Sequence, residues 1–197
     1  MTLFGCPCDE RGNIAPVAVV SIFLLLSVMV FAVDMGIAYC AKDRQEQALD
    51  AARATCMDAA ASQQAKYSDD PGAALSERIV ETVRAQGVTA AVDVWFYEAP
   101  RGSVPESERY WVVGMQVSQS VPTVFAKGLG LDSIGAASCR VIEARPYASQ
   151  KVWRPARRVC GKYSFAQGST AAQGKFTAIS ELDEFPSEMA ERARAAV

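Results

Sequence analysis

Residues 14–33 read IAPVAVVSIFLLLSVMVFAV, and 34–65 continue without a break as DMGIAYCAKDRQEQALDAARATCMDAAASQQA. The first twenty carry no charge, and Ser21 and Ser27 are their only polar side chains. At about 1.5 Å per residue, such a helix spans roughly 30 Å, the thickness of a bilayer's hydrocarbon core. Pro16 falls in the first turn, where its missing N–H costs least. A core helix of a soluble domain would show a polar stripe. A cleaved signal peptide would have a shorter apolar region ending in a small-x-small site. The run therefore predicts an uncleaved, single-pass membrane anchor.

The second stretch is rich in Ala, Gln, Glu, Lys and Arg, all strong helix formers, and contains no Pro. Small apolar residues recur at Ala41, Ala48, Ala52 and Ala59, with Leu49, Cys56 and Ala60 alongside. This spacing marks one helix face. Lys42, Arg44, Glu46, Asp50 and Arg53 cover much of the remainder. One helix of about 50 residues is predicted, with its first half in lipid and its second half laying an Ala-rich stripe against a partner surface. The partner is either a sheet of the same chain or a second copy of the helix in a coiled-coil stalk. The scarcity of large residues at heptad positions favours the sheet.

The remaining residues, 66–197, are enough for one small core. Asp70-Pro71-Gly72 is a turn signal, 73–86 is an amphipathic helix with Leu75, Ile79, Val80 and Val83 on one side, and Gly87 suits its end. Segments 88–98 and 109–120 are rich in Val, Trp, Phe and Tyr and flank a polar loop at 99–108, which predicts a long hairpin. Further strands are expected at 133–144, 158–165 and 175–180, and a terminal helix at 186–196. The fold class is α+β: a long N-terminal transmembrane helix continuing into a helix packed on a small antiparallel sheet, pilin-like in outline.

Composition narrows the chemistry. Across 197 residues, 20 Lys+Arg face 22 Asp+Glu, a net charge of -2, and there is no His. A globally basic nucleic-acid binder is excluded, as are His-dependent acid–base catalysis and His metal sites. The patch KVWRPARR at 151–158 reads as a solvated loop in preference to a nucleic-acid or anionic-surface contact, and Asp183, Glu184 and Glu188 as a solvated helix N-terminus. Cys6-Pro7-Cys8 supplies only two ligands. No catalytic, cofactor-binding or metal-binding residues are expected, so the chain reads as non-enzymatic. Charges flanking the apolar run (Arg11 before; Lys42, Arg44 and Arg53 after) lean slightly toward a cytoplasmic C-terminal part.

Arg11-Gly12-Asn13 precedes the apolar run and Asp34-Met35-Gly36 follows it. Tyr39, Lys42, Arg44, Ala48 and Asp50-Ala51-Ala52 come next. In this order and spacing, residues 11–60 resemble the Tad-like family of Flp pilus-assembly proteins, the TadE/TadG group. The family motif maps onto Arg11, Gly12, Asn13, Asp34, Gly36, Tyr39 and Asp50. Gln45-Glu46 and Arg53 depart from its pattern. A second stretch, VPTVFAKGLGL at 121–131, is similar to a short link late in such proteins, where a strand ends, a short helix turns and a final strand begins. The resemblance implies a cytoplasmic N-terminus at 1–13, a transmembrane helix at 14–33, a helical extension at 34–65 and an extracytoplasmic domain at 66–197. The membrane is then the cytoplasmic (inner) one, and the partners are other Tad/Flp pilus-assembly proteins. Family pseudopilins are cut after a Gly before the helix and carry Glu at the fifth mature position. Val17 stands at that position here, which points to an uncut, TadG-like or minor pilin-like component. The alternative is an anchored binding module unrelated to pili, reading its ligand through the 99–108 loop.

With that orientation Cys6 and Cys8 lie inside, and Cys40, Cys56, Cys139 and Cys160 lie outside, where disulfides form. Cys40 and Cys56 are 16 residues apart on one helix, about 24 Å, which is too far to bridge. The expected pair is Cys139–Cys160, on the third and fourth strands, if a return connection makes those strands neighbours. Cys56 competes from the stripe facing the sheet, and Cys40 is expected to be unpaired or to link two chains.

Overall fold

The computed structural model describes residues 14–100, 103, 109–145 and 160–195. Arg11, Gly12, Asn13, Cys6, Cys8, the basic patch at 151–158 and most of the 99–108 loop lie outside them.

Helix α1 runs from Ile14 to Met57, through the apolar run and into the extension without interruption. Its apolar stretch is long enough to cross a membrane, and none of its most apolar 18 residues is buried within the protein. The helix stops earlier than the sequence predicts. Asp58 adopts extended backbone angles, φ −59° and ψ 137°, and a separate helix α2 starts at Ala59 and ends at Lys66. Asp is a poor helix former that favours such boundary positions. The Ser62 hydroxyl donates to the Cys56 carbonyl, taking up one acceptor freed at the end of α1. The break rotates Ala59 and Ala60 into solvent, and Ala61 and Ala65 are buried instead.

Helix α3, Pro71–Ala85, has proline at its first turn, and the Asp70 side chain accepts from the Ala73 N–H at 3.0 Å. The Tyr163 hydroxyl donates to the same carboxylate oxygen at 2.8 Å, so the cap also ties the helix to the sheet. A Cβ on Gly72 would lie 2.9 Å from the Phe96 ring, and only glycine permits that approach.

Five strands form one antiparallel sheet in the order β3-β2-β1-β4-β5: β1 Ala91–Glu98, β2 Trp111–Pro122, β3 Ser133–Ala144, β4 Cys160–Phe165 and β5 Lys175–Ala178. The hairpin β1–β2 pairs Ala91 with Ser118 and Glu98 with Trp111. β2 then pairs with β3 along twelve positions, from Trp111 with Ala144 to Pro122 with Ser133. β4 adds to the free edge of β1, not to β3. The central position of β1 explains why Trp95, Phe96 and Tyr97 are all buried, where a one-faced strand would alternate.

Each face of the sheet is covered. On one, Val92, Val94 and Phe96 join Val113, Met115, Val117, Tyr163 and Phe165 under α1 and α3. The residues of α1 that enter this core are Ala48, Leu49, Ala52 and Cys56, so the stripe packs on a sheet and on α3, with Leu49 its only large aliphatic. On the other face Trp95, Tyr97 and Val112 meet Phe185 and the short helix α4, Ser187–Arg194, through Met189, Ala190 and Ala193. A Cβ on Gly114 would lie 2.9 Å from the Met189 sulfur, so glycine there lets α4 approach β2. This second layer goes beyond the single helix-on-sheet packing read from sequence.

The end of the β1–β2 hairpin is closed by charge. Arg109 forks onto Glu98, Nε to Oε1 at 2.5 Å and Nη2 to Oε2 at 2.7 Å, and its Nη1 donates to the Lys66 carbonyl at 2.5 Å. Both side chains are buried, so each charge has the other as its compensating partner. Arg109→Met should lower unfolding stability by about 3–5 kcal/mol, because it strands the Glu98 carboxylate. The double variant Glu98→Leu/Arg109→Met should recover most of that loss in denaturant titrations of the detergent-solubilised chain. Equal instability of single and double variants would show that the pair does not act as a unit.

Candidate functional site

The apolar run of α1 ends at Val33, and the next side chain, Asp34, is buried. Its carboxylate accepts from three consecutive backbone amides across the chain. Oδ1 takes the Val124 N–H at 2.9 Å, Oδ2 the Ala126 N–H at 2.6 Å, and both oxygens lie within reach of the Phe125 N–H, at 3.3 and 3.1 Å. These amides open a short 3-10 turn, Ala126–Leu129, and a carboxylate there plays the part of a capping side chain supplied from a distance. Burial works against the charge, but the amides of Ala126, Val124 and Phe125 outweigh it and hold the carboxyl below the ordinary carboxylate range.

The loop that receives Asp34 is locally over-determined. β2 ends at Pro122, the Thr123 N–H donates to the Asp132 carbonyl at 3.1 Å, and the Thr123 hydroxyl donates to the Leu131 carbonyl. Gly130, at φ +84°, reverses the chain toward β3 in a conformation that favours glycine. The two stretches singled out in the sequence, 11–60 and 121–131, thus touch through Asp34. Neither stretch alone revealed this contact, because its acceptor is one side chain and its donors are backbone atoms about ninety residues away.

The other motif residues behave differently. Gly36 and Tyr39 are exposed, Tyr39 at the mouth of a groove of about 230 Å³ between α1 and β3 that Met35, Ala38, Lys42 and Ile134 also line. Asp50 faces outward and accepts from Arg140 Nε of β3 at 2.9 Å. Glu46 stands 3.8 Å from the same guanidinium, so charge as well as the Ala stripe holds α1 along the edge strand. Gln45, which the stripe reading omitted, is fully buried and donates to the Ala136 carbonyl of β3 at 3.4 Å. A second open groove, about 270 Å³, lies between α2 and α3 beside Arg78 and Glu81. Among the described residues no three His, Cys, Asp or Glu side chains converge as a metal site would require.

The cysteines correct an expectation. Cys40, Cys56, Cys139 and Cys160 are all free thiols. Cys139 and Cys160 lie on β3 and β4, which the sheet separates by β2 and β1. Three strand spacings amount to about 14 Å, twice the disulfide limit. The pairing required β4 beside β3, whereas β4 takes the free edge of β1. Cys56 is buried in the core under α3, and burial pushes its thiol up to about 11, with Arg78 opposing weakly. The chain matches no family model, no curated protein and no solved structure.

Three outcomes follow from this geometry. Asp34→Ala should accelerate hydrogen exchange at the Val124, Phe125 and Ala126 amides while leaving those of β1 protected. In the parent chain the same protection should hold above pH 4 or so, the unfolded carboxyl's range, and fade as pH falls through the lower folded value, because the charged form is the one the amides stabilise. Brief alkylation at pH 8 should modify Cys40 and Cys139 and spare Cys56, of which only about one thiol in a thousand is ionised. Peptide mapping before and after denaturation reads this directly.

Proposed function

We propose that this chain is a non-enzymatic, single-pass membrane-anchored component of a Tad/Flp-type pilus assembly system, TadG-like or minor pilin-like. In this reading residues 14–33 cross the cytoplasmic membrane and 66–197 lie outside. The observation that carries it is the Asp34 clasp. It joins the end of the apolar run to the 121–131 link, the two stretches whose residues resemble that family. The architecture supports the same reading: the first half of one helix is apolar and unburied and its second half packs on an antiparallel sheet, as a pilin-like component would require. Val17 favours an uncut anchor, since a repeating subunit would need a carboxylate there to neutralise a buried terminal amine. The partners are other pilus-assembly proteins and the membrane, with the exposed half of α1 available for helix–helix association in lipid.

Deleting the gene in its own host should abolish surface pili in electron micrographs. A plasmid-borne copy should restore them, and a copy carrying Asp34→Ala should restore fewer. Wild-type piliation in the deletion strain would overturn the proposal.

A further inference from the structure

Outside α1, the described residues expose five large hydrophobic side chains, and four of them belong to one loop: Val124 at 63%, Phe125 at 50%, Leu129 at 70% and Leu131 at 51%. Scattered single exposures need no explanation, but a cluster of four within eight residues does. Its position is fixed. Asp34 grips the backbone of this loop and stands one residue past the apolar run, so the cluster sits at the level where the candidate membrane span ends.

We infer that residues 124–131 form a second membrane contact, a shallow apolar wedge seated in the bilayer interface beside the point where α1 leaves it. The inference rests on the anchor reading above and goes further, because it assigns a lipid contact to a segment of the folded domain.

The backbone is suited to that environment. A segment enters the acyl boundary at least cost when its peptide groups already have partners within the protein. Here the Val124, Phe125 and Ala126 N–H groups go to Asp34. Gly128 donates to the Phe125 carbonyl, Gly130 to Lys127 and Leu131 to Ala126. The outward-facing side chains of 124–131 are hydrocarbon plus Lys127, whose long stem lets the ammonium reach the phosphate level while its neighbours sit deeper. The side chains that face the protein, Ala126 and Thr123, are small and buried. The bilayer is favoured over a second protein as the occupant because the patch continues the surface of the span itself.

The test uses the full chain reconstituted in vesicles of phosphatidylethanolamine and phosphatidylglycerol, with a fraction of the lipid brominated midway along its acyl chains. Three single variants place a tryptophan probe: Phe125→Trp in the wedge, Leu25→Trp in the middle of the apolar run, and Tyr67→Trp after α2. Tyr67 adjoins Lys66, whose carbonyl is bonded by Arg109 at the opposite end of β2 from the wedge. Emission of the parent, with its three native tryptophans, is subtracted. The wedge predicts that the Phe125→Trp probe shifts to the blue and loses about half its emission to brominated lipid, a depth of some 5–10 Å. Leu25→Trp should be quenched more strongly, and Tyr67→Trp not at all. An unquenched Phe125→Trp beside a quenched Leu25→Trp would overturn the wedge and leave the anchor standing. A blue-shifted yet unquenched Phe125→Trp would assign the patch to a protein partner, which equally overturns the wedge. Equal quenching at Tyr67→Trp would show indiscriminate adhesion and overturn it too. An unquenched Leu25→Trp would remove the anchor, and the wedge with it.

Discussion

One carboxylate marks where a helix surrounded by nothing becomes a helix surrounded by protein. Before Asp34, the side chains of α1 are unburied and, Ser21 and Ser27 apart, hydrocarbon; after it, Ala38, Gln45, Ala48, Leu49 and Ala52 turn inward. A buried charge is tolerated only when it is fully bonded, and here three amides of a distant loop bond it. The arrangement is therefore mutual. Without the loop, Asp34 would be an unpaired charge at the end of an apolar run; without Asp34, the loop would present three unsatisfied N–H groups. The β2–β3 connection inherits its place in the molecule from this bargain, and β3 in turn receives α1 along its edge.

The packing beyond Asp34 follows from the small residues of the extension. Alanine lets α1 lie close to β3 and α3 but buries little area, so specificity comes from the few larger groups: Leu49 in the core, Gln45 to the Ala136 carbonyl, and Asp50 with Glu46 around Arg140. Long-range polar contacts fix the rest. Arg84 of α3 donates to the carbonyls of Val88, Ala90, Ala166 and Ser169, which fastens the segment entering β1 to the segment leaving β4. The Arg109–Glu98 fork does the same at the other end of the hairpin.

Much of the local structure was legible in the sequence. The strand at 133–144 matches β3 to the residue, the hairpin partners and α3 fall within a few positions of their expected ends, and the Ala stripe packs on a sheet as its lack of large residues suggested. Those features depend on periodicity and on turn residues close by. The strand order was not legible, since nothing in residues 158–165 distinguishes the free edge of β1 from that of β3, and the Cys139–Cys160 pairing failed with it. The break at Asp58 was missed because the surrounding alanines outweigh one poor helix former. Of the site, Asp34 could be singled out by resemblance, but its partners are amides, which leave no trace in side-chain pattern.

The continuity of α1 has a mechanical consequence. From Asp34 to Met57 the helix extends 24 residues past the apolar run, about 36 Å, as one uninterrupted element with no proline to kink it. In the anchored reading it is a lever whose fulcrum is the Asp34 clasp. Spans commonly tilt by about 20° as bilayer thickness or neighbours demand, and such a tilt would carry the Met57 end sideways by roughly 12 Å. The sheet, held along α1 through β3, would swing with it. An event within the membrane would thus be read out as displacement at the far edge of the domain, amplified by arm length and needing no refolding.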